Sequence, residues 1–344
     1  MHLLIVTDAW APQVNGVVRT LERLVIELER AGMQVDLLTP ADFRSIPCPT
    51  YPEIRLALTT ARNVSRHIER FAPDHLHIAT EGPLGLMARA WALSTGHRFT
   101  TSYHTRFPEY VAARLPIPLK SSYWFMRRFH NAGAGCMVAT ETLERDLAAQ
   151  GFTNLMRWPR GVDHHLFRPD YAPVLDLPRP IFMTVGRVAV EKNLAAFLEL
   201  DLPGTKVVVG DGPARADLQA RFPETVFAGV AAGEALAALY ASADVFVFPS
   251  RTDTFGNVVL EALACGVPVA AYPVMGPLDI IADSGAGVLD ADLRAAALAA
   301  LKIPREVARA YALTFSWEES TQQFLRNVER AMQIPPPPAV PTYF

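Results

Sequence analysis

Short apolar runs alternate with amphipathic segments along the first half of the chain. Between the first two runs, Val17, Leu21, Leu24 and Leu28 recur at helical spacing, and Gly32 follows as a stop signal. This alternation predicts βαβ units, and therefore a parallel sheet covered by helices on both faces. The strands are predicted at residues 2–7, 34–39, 75–79, 99–104 and 135–140.

A second alternating series follows a proline-rich stretch near 169–180, where the pattern predicts a linker. Its strands are predicted at 181–185, 206–209, 226–227, 245–249 and 267–271. The expected fold is α/β, with two Rossmann-like, doubly wound parallel-sheet domains and a ligand cleft between the carboxyl ends of their strands. The predicted boundaries are 1–170, 171–315, a last helix at 316–333 that Ser316 begins, and a proline-rich tail at 334–344.

Composition narrows the class of protein. The 344 residues are 50% hydrophobic and 19% charged, a composition that excludes a disordered chain or a coiled coil. A chain of this length and composition can bury two hydrophobic cores. Neither a membrane span nor a cleaved signal peptide is expected, because the longest uncharged run is interrupted by prolines. The three cysteines form no CxxC motif, which favours a reducing cytoplasm over a disulfide framework or a zinc ribbon.

Charge is distributed unevenly between the two halves. Residues 1–170 hold 19 Lys and Arg against 16 Asp and Glu, a balance of +3, which leaves −6 for the remainder and −3 overall. This modest basic excess favours an anionic membrane surface over nucleic acid as a partner of the first half.

The most specific chemical signal is the pair Asp253 and Glu261, which follows the predicted strand 245–249. A helix that begins near Phe255 or Gly256 directs its first amides at the ligand crevice and holds a diphosphate there. Asp253 then lies beside the group attached to the distal phosphate, and Glu261 lies one to two turns into the helix, where it accepts hydrogen bonds from a ribose. Either acid alone is better explained as a solvated helix residue, but the pair favours a site. The predicted donor contacts on this segment are Phe255, Gly256, Asn257, Val258 and Glu261.

The segment 186–193 ends the first strand of the second domain and carries two cations. Gly186 precedes Arg187, and Lys192 follows five residues later. Preorganised cations stabilise a departing diphosphate, so these residues are candidates for that role. Solvated loop cations, one of them paired with Glu191, explain the same pattern.

Three features of the first domain are weaker signals. The turn Asn15-Gly16 precedes the first helix and is a candidate anion cradle; GxGxxG is absent, and an ordinary tight turn explains it equally well. His104 ends a predicted strand, and this position favours contact with a sugar or diphosphate oxygen, although a lone histidine is usually structural. Glu81 ends another strand in the same way.

Together these residues resemble a known family. The Asp253 and Glu261 pair, GRVAVEKN at 186–193, the Asn15-Gly16 turn, His104 and RGVD at 160–163 are similar to the retaining, nucleotide-sugar-dependent glycosyltransferases of the GT-B fold, group 1 or family 4. The resemblance spans nearly the whole chain. The runs at 79–85 and 250–256 resemble the branch of bacterial α-mannosyltransferases and glycolipid or sulfolipid synthases.

The resemblance implies roles for individual residues. Arg187 and Lys192 would neutralise the diphosphate, Glu261 would bind ribose, and Asp253 and His104 would contact the transferred sugar. Gly16 would line the acceptor and phosphate side, and the last helix would cross back to the first domain. The chain departs from the family at Asp253, where Glu is common, and at Asn15, where Gly is common; the shorter Asp alters the expected sugar preference.

The resemblance also implies a mechanism of same-face attack, in which a diphosphate oxygen takes the acceptor's proton, so no catalytic base is assigned. No cofactor is expected besides the substrate, a UDP- or GDP-linked sugar. No metal is expected either, because side-chain cations and helix amides supply the positive charge. The single DxD, Asp290-Ala-Asp292, is expected to start a helix.

The acceptor is suggested by residues 106–128. This segment holds five basic residues against one acid, Glu109, interleaved with aromatic side chains. Such a segment lies on an anionic bilayer, or equally packs as a helix pair on its own core. With the family resemblance it favours a lipid acceptor such as diacylglycerol at the inner leaflet, with Asn15, Glu81 and Arg106 on the acceptor side. The alternatives are an α-mannosyltransferase with a saccharide or polyprenyl-linked acceptor, a non-catalytic nucleotide-sugar sensor and a sugar-nucleotide epimerase.

Overall fold

The computed structural model describes residues 1–13, 15–48, 51–112 and 118–335. Two compact units are formed. The first comprises Met1–Pro159 together with the chain from Glu318 onward, and the second comprises Arg160–Trp317.

The first unit contains a six-stranded parallel sheet in the order β2-β1-β5-β6-β7-β8. A two-stranded antiparallel hairpin, β3 with β4, lies outside this sheet. The strands are β1 His2–Val6, β2 Gln34–Leu38, β3 Ser45–Cys48, β4 Tyr51–Ala57, β5 His75–Ile78, β6 Phe99–Ser102, β7 Gly135–Val138 and β8 Leu155–Arg157. The helices are α1 Gly16–Arg30, α2 Ala61–Phe71, α3 Pro83–Thr95, α4 Phe107–Ala112, α5 Leu119–His130 and α6 Glu141–Ala149.

The second unit contains a six-stranded parallel sheet in the order β11-β10-β9-β12-β13-β14, the Rossmann order 3-2-1-4-5-6. The strands are β9 Ile181–Val185, β10 Thr205–Val209, β11 Val226–Gly229, β12 Val245–Phe248, β13 Val269–Ala271 and β14 Gly287–Leu289. The helices are α7 Leu194–Leu198, α8 Arg215–Arg221, α9 Gly233–Ser242, α10 Asn257–Ala264, α11 Pro277–Ile280, α12 Leu293–Ala300 and α13 Arg305–Ala312, and the last helix of the chain is α14 Trp317–Gln333.

Helices cover both faces of each sheet, as the βαβ pattern predicts. On one face of the first sheet, Leu21, Leu24 and Leu28 of α1 pack with Leu3 and Ile5 of β1. On the other face, Val64 and Ile68 of α2 and Leu84 and Ala88 of α3 pack with Leu4 and Val6. The fold class of two Rossmann-like parallel-sheet domains is confirmed.

Helix α14 follows the second unit in sequence and packs on the first. Phe324 lies against the fully buried Trp158, with their ring centroids 5.1 Å apart. Ser320 Oγ donates to Pro159 O at 2.7 Å, and Asn327 Nδ2 donates to Arg157 O at 2.8 Å. The predicted return of the last helix to the first domain is therefore present.

The division between the units differs from the predicted boundary at 170/171. Residues 160–170 belong to the second unit, because Arg309 of α13 holds their backbone: one Nη donates to Phe167 O at 2.7 Å and the other to His164 O at 3.2 Å. The predicted tail is described only as far as residue 335.

Several elements differ from the sequence pattern. Strand β6 ends at Ser102, so the predicted end at 104 is wrong and His104 lies two residues beyond the strand. The hairpin β3 with β4 and the three-residue strands β8 and β14 were missed, because they are short or proline-containing. Asp292 caps α12 by accepting from Arg294 N and Ala295 N, as expected of a helix start. Among the described residues, no helix combines the length and the apolar composition needed to cross a bilayer.

Candidate functional site

The second sheet reverses its strand order between β9 and β12, and this switch point is where open α/β sheets bind ligands. The loop after β9 is 186–193, and the loop after β12 is 249–256. Both predicted motifs therefore lie at the carboxyl edge of neighbouring strands. Asn193 Nδ2 donates to Pro249 O at 3.0 Å and Thr252 Oγ1 donates to Glu191 O at 3.4 Å, so hydrogen bonds join the two loops.

Glycine allows the chain to approach itself closely at this edge. Gly210 follows β10 with φ +136°, and a Cβ there would lie 1.9 Å from Gly186 O. A side chain at Gly210 would displace the loop that carries Arg187 and Lys192. Gly186 itself has φ +150° and open space where its Cβ would be. Arg187 is half-buried on this loop, next to the buried Val188.

Lys192 and Asp253 are in direct contact. Lys192 Nζ lies 2.6 Å from Asp253 Oδ1, and the two side chains are 30% and 24% exposed. The other oxygen, Asp253 Oδ2, is buried and has no hydrogen-bond partner among the residues that the structure describes. The structure thus brings together a predicted diphosphate cation and the predicted sugar contact, and it pairs them with each other.

Helix α10 begins at Asn257, so the predicted start at Phe255 or Gly256 is one or two residues early. Gly256 occupies the N-cap position with φ +100°, and it has no side chain that could cap the first turn. Phe255 is buried, whereas Asn257 and Val258 are half-buried. The helix start therefore lies at the switch point, where Gly256 supplies no side-chain cap, and such a position suits an anion.

Glu261 lies four residues into α10, about 6 Å along the helix. It is only 9% exposed, and its Oε2 accepts a hydrogen bond from Tyr240 Oη at 3.0 Å. Sequence reasoning missed Tyr240, because a tyrosine in the apolar α9 gives no separate signal. The carboxylate is thus oriented by a neighbouring helix before any ligand arrives.

The switch point of the first sheet lies between β1 and β5, and Asp8 occupies it. Its carboxylate accepts from Leu84 N at 2.9 Å, from Gly85 N at 3.3 Å and from Thr80 Oγ1 at 3.0 Å, so it caps α3. Burial raises the pKa of Asp8, although these hydrogen bonds act in the opposite direction. Sequence reasoning missed Asp8, because its long-range partners lie more than 70 residues away.

Asn15 caps α1. Its Oδ1 accepts from Val17 N and Val18 N, both at 3.0 Å, and its Nδ2 donates to Gln13 Oε1 at 3.0 Å. The two amides that an anion cradle requires are therefore occupied by the Asn15 side chain, which favours the tight-turn interpretation. Gly16 is the first residue of α1 and is exposed.

His104 is half-buried beyond β6, and its ring lies edge-on to Trp158 with centroids 5.9 Å apart. Glu81 follows β5, and its Oε1 lies 3.1 Å from Nε2 of the fully buried His130. Burial alone lowers a histidine pKa, but the interactions of His130 with Cys136 and with the Glu81 carboxylate outweigh it and raise the pKa of His130 to about 10. Glu81 therefore has a structural partner that the sequence did not reveal.

Arg106 forms a separate cluster with Glu109 and Tyr123. Arg106 donates twice to Glu109 Oε1, at 3.0 and 2.6 Å, and Tyr123 Oη donates to the same oxygen at 2.7 Å. Burial and Glu109 raise the pKa of Tyr123 to about 12. The predicted acceptor residues Asn15, Glu81 and Arg106 thus lie at one edge of the sheet, but each contacts different partners.

The basic and aromatic segment is partly described. Lys120, Trp124 and Arg128 recur every four residues on α5 and are all exposed, Trp124 by 57%. Tyr123, Met126 and Phe129 of the same helix are buried. One face of α5 therefore packs on the core and the other is basic and aromatic. Arg114, Leu115 and Ile117 lie outside the described residues.

Over the described ranges, no group of three or more His, Cys, Asp or Glu side chains is arranged to hold a metal ion.

Comparisons with known proteins agree with these features. Residues 14–166 match the family described as Glycosyltransferase Family 4, and residues 179–303 match Glycosyl transferases group 1. A sulfoquinovosyl transferase of Arabidopsis thaliana is 32% identical over 80% of this chain and 60% of its own length, so this chain spans less than two thirds of it. A GDP-mannose-dependent alpha-mannosyltransferase of Mycobacterium tuberculosis is 31% identical over 84% of this chain and 83% of its own.

One further relative and one solved structure are also similar to this chain. An alpha-monoglucosyldiacylglycerol synthase of Streptococcus pneumoniae is 27% identical over 88% of this chain and 78% of its own. The solved structure of a sucrose-phosphate synthase from Thermosynechococcus elongatus has a TM-score of 0.74 at 22% identity, over 94% of this chain and 97% of that one. From these matches, which include both halves of the chain, the protein belongs to the group 1, family 4 glycosyltransferases and has their GT-B fold.

Proposed function

We propose that the protein is a retaining hexosyltransferase that moves a sugar from a UDP- or GDP-linked donor to the hydroxyl of a lipid such as diacylglycerol. The observation that supports donor binding is that three features lie together at the switch point between β9 and β12. These are the 186–193 loop with its two cations, the start of α10 behind Gly256, and the Glu261 carboxylate. A diphosphate between the loop and the helix start would have side-chain cations on one side and helix amides on the other.

The proposed role of the cations is to stabilise the departing nucleoside diphosphate. Negative charge grows on the diphosphate as the sugar–oxygen bond breaks, so fixed positive charge lowers the barrier. Arg187 and Lys192 supply this charge, and we therefore propose that neither a divalent metal nor another cofactor is required. In the same-face mechanism the acceptor hydroxyl attacks as the diphosphate leaves, and a diphosphate oxygen takes the proton.

Glu261 is proposed to bind the donor ribose. Because Tyr240 already donates to Oε2, the carboxylate is oriented before the nucleotide arrives. His104 is proposed to contact the transferred sugar, and Gly16 to line the phosphate side. Of the acceptor-side residues, Glu81 and Arg106 are held by His130 and Glu109, so they are proposed to shape the acceptor region.

The lipid acceptor and an anionic membrane surface are supported by α5, and the lipid acceptor also by one relative. The exposed stripe Lys120, Trp124 and Arg128 combines cations with an aromatic ring of the kind that lies at bilayer interfaces. α5 carries no acidic residue. The name of the pneumococcal relative describes a glucosyldiacylglycerol synthase.

A second candidate is an α-mannosyltransferase with a saccharide or polyprenyl-linked acceptor. It is favoured by the mycobacterial relative, whose name specifies GDP-mannose and which matches over 83% of its length.

A donor and acceptor screen tests both candidates. Purified protein is incubated with UDP- and GDP-linked hexoses and either a bacterial lipid extract or soluble saccharides, with and without EDTA, and products are analysed by mass spectrometry and NMR. We expect a glycosylated diacylglycerol with the donor's anomeric configuration, formed equally with EDTA. Products on saccharides alone would favour the mannosyltransferase, and binding without any product would favour the sensor.

A further inference from the structure

Lys192 and Asp253 form an ion pair, although the proposed function requires the Lys192 ammonium group to bind the donor diphosphate. The two charges are 2.6 Å apart, so the carboxylate cancels much of the field that an incoming diphosphate would feel. Both side chains remain partly exposed, at 30% and 24%, so an anion from solvent can compete for the ammonium group. Binding of a diphosphate at Lys192 must therefore work against Asp253.

The carboxylate is only half satisfied in this pair. Asp253 Oδ1 accepts from Lys192, whereas Oδ2 is buried and no described residue donates to it. An unpaired buried carboxylate oxygen is costly, and a ligand hydroxyl that donates to it recovers that cost. A sugar hydroxyl beside the distal phosphate is such a donor, but a bare nucleoside diphosphate has none.

We propose that Asp253 is an exchangeable counter-ion that makes the site discriminate the intact donor from the spent nucleoside diphosphate. When a nucleotide sugar binds, its diphosphate replaces Asp253 on Lys192, and the released carboxylate accepts a hydrogen bond from the sugar. When the sugar has left, the carboxylate loses that partner and returns to Lys192, which promotes release of the product. This inference rests on the proposed binding of the diphosphate by Lys192.

Asp253→Asn separates charge from shape, because the amide is nearly isosteric with the carboxylate. Asp253→Glu keeps the charge and extends the side chain by one methylene. Asp217→Asn is the matched control: it removes one negative charge from the same unit, at a carboxylate 70% exposed and 3.5 Å from Arg221 on α8. Lys192→Ala reports whether the lysine holds the diphosphate at all.

The experiment is calorimetric titration of UDP and of GDP into the full chain of each variant, after thermal unfolding has shown that each is folded. For the nucleotide that binds, we expect Asp253→Asn to lower the Kd about three- to tenfold, as loss of one close opposing charge implies. Asp253→Glu and Asp217→Asn are expected to stay within about twofold of the parent. Lys192→Ala is expected to raise the Kd about tenfold or more.

The outcomes separate this inference from the function on which it rests. If Asp253→Asn binds no more tightly while Lys192→Ala binds more weakly, Asp253 is not a competing counter-ion, and only this inference fails. If Asp217→Asn tightens binding as much as Asp253→Asn, the effect is one of overall charge, and the inference also fails. If Lys192→Ala binds as the parent does, the proposed donor site fails together with it.

Discussion

Arg187 and Lys192 leave the same short loop after β9, and this placement makes single-residue kinetics informative. Lys192→Ala and Arg187→Ala are each expected to lower turnover about 100-fold or more, because each removes a cation from the departing diphosphate. Initial rates of sugar transfer at saturating donor measure this effect. Lys302→Ala, an exposed lysine of the same unit, is the control and is expected to keep the parent rate. Turnover unchanged in the loop variants would remove these cations from the site.

Glu81 has a partner that makes its charge measurable. Because its carboxylate helps to raise the pKa of His130, Glu81→Gln is expected to lower that pKa from about 10. The histidine ring proton, followed by NMR as a function of pH, reports the change. A titration of His130 that is the same in both proteins would mean that the Glu81 charge does not act on it.

At the scale of the element, the structure explains how a side chain sets the start of α1. Asn15→Ala removes the acceptor for Val17 N and Val18 N and is expected to lower the free energy of unfolding by about 1 kcal/mol. Asn15→Gly, which retains the backbone freedom of the cap position, is expected to cost only a few tenths of that. Urea unfolding of the three proteins measures both values. An Asn15→Ala protein as stable as the parent would contradict the capping role.

The same element shows what the sequence can predict. The apolar spacing of α1 and the runs of β1 and β9 are local, so their positions follow from the sequence within about one residue. The loop cations and acids at the second switch point also follow, because parallel strands place their carboxyl ends together. The contact partners of these residues cannot be predicted from the sequence. Lys192 and Asp253 are 61 residues apart, and Glu81 and His130 are 49 apart, so only the folded chain reveals their pairing.

At the scale of the whole molecule, buried histidines couple the fold to pH. His75 of β5 is fully buried, its Nε2 lies 2.9 Å from Thr100 Oγ1, and burial lowers its pKa to about 3. The unfolded chain binds a proton here below about pH 6.5, but the folded chain does not until about pH 3. The contribution of His75 to stability is therefore fully present above pH 6.5 and is lost as the pH falls towards 3, by about 1.4 kcal/mol per pH unit in that window.

Urea unfolding between pH 6.5 and pH 5 measures this slope before most carboxylates titrate. His130 has a raised pKa, so its contribution to stability is lost as the pH rises through 6.5, and it opposes the His75 slope only at the upper end of this window. We expect His75→Gln to reduce the slope of the free energy of unfolding against pH by the contribution of one bound proton. If the stability of His75→Gln depends on pH in this window as that of the parent does, His75 titrates in the folded protein as it does in the unfolded chain.

The central claim is that the second unit holds a sugar nucleotide by its diphosphate at the switch point between β9 and β12. A crystal structure of the protein with its nucleoside diphosphate tests this most directly. We expect phosphate oxygens within hydrogen-bond distance of Lys192 Nζ and of the first amides of α10, with the ribose at Glu261. A nucleotide bound elsewhere, with Arg187 and Lys192 directed into solvent, would contradict it.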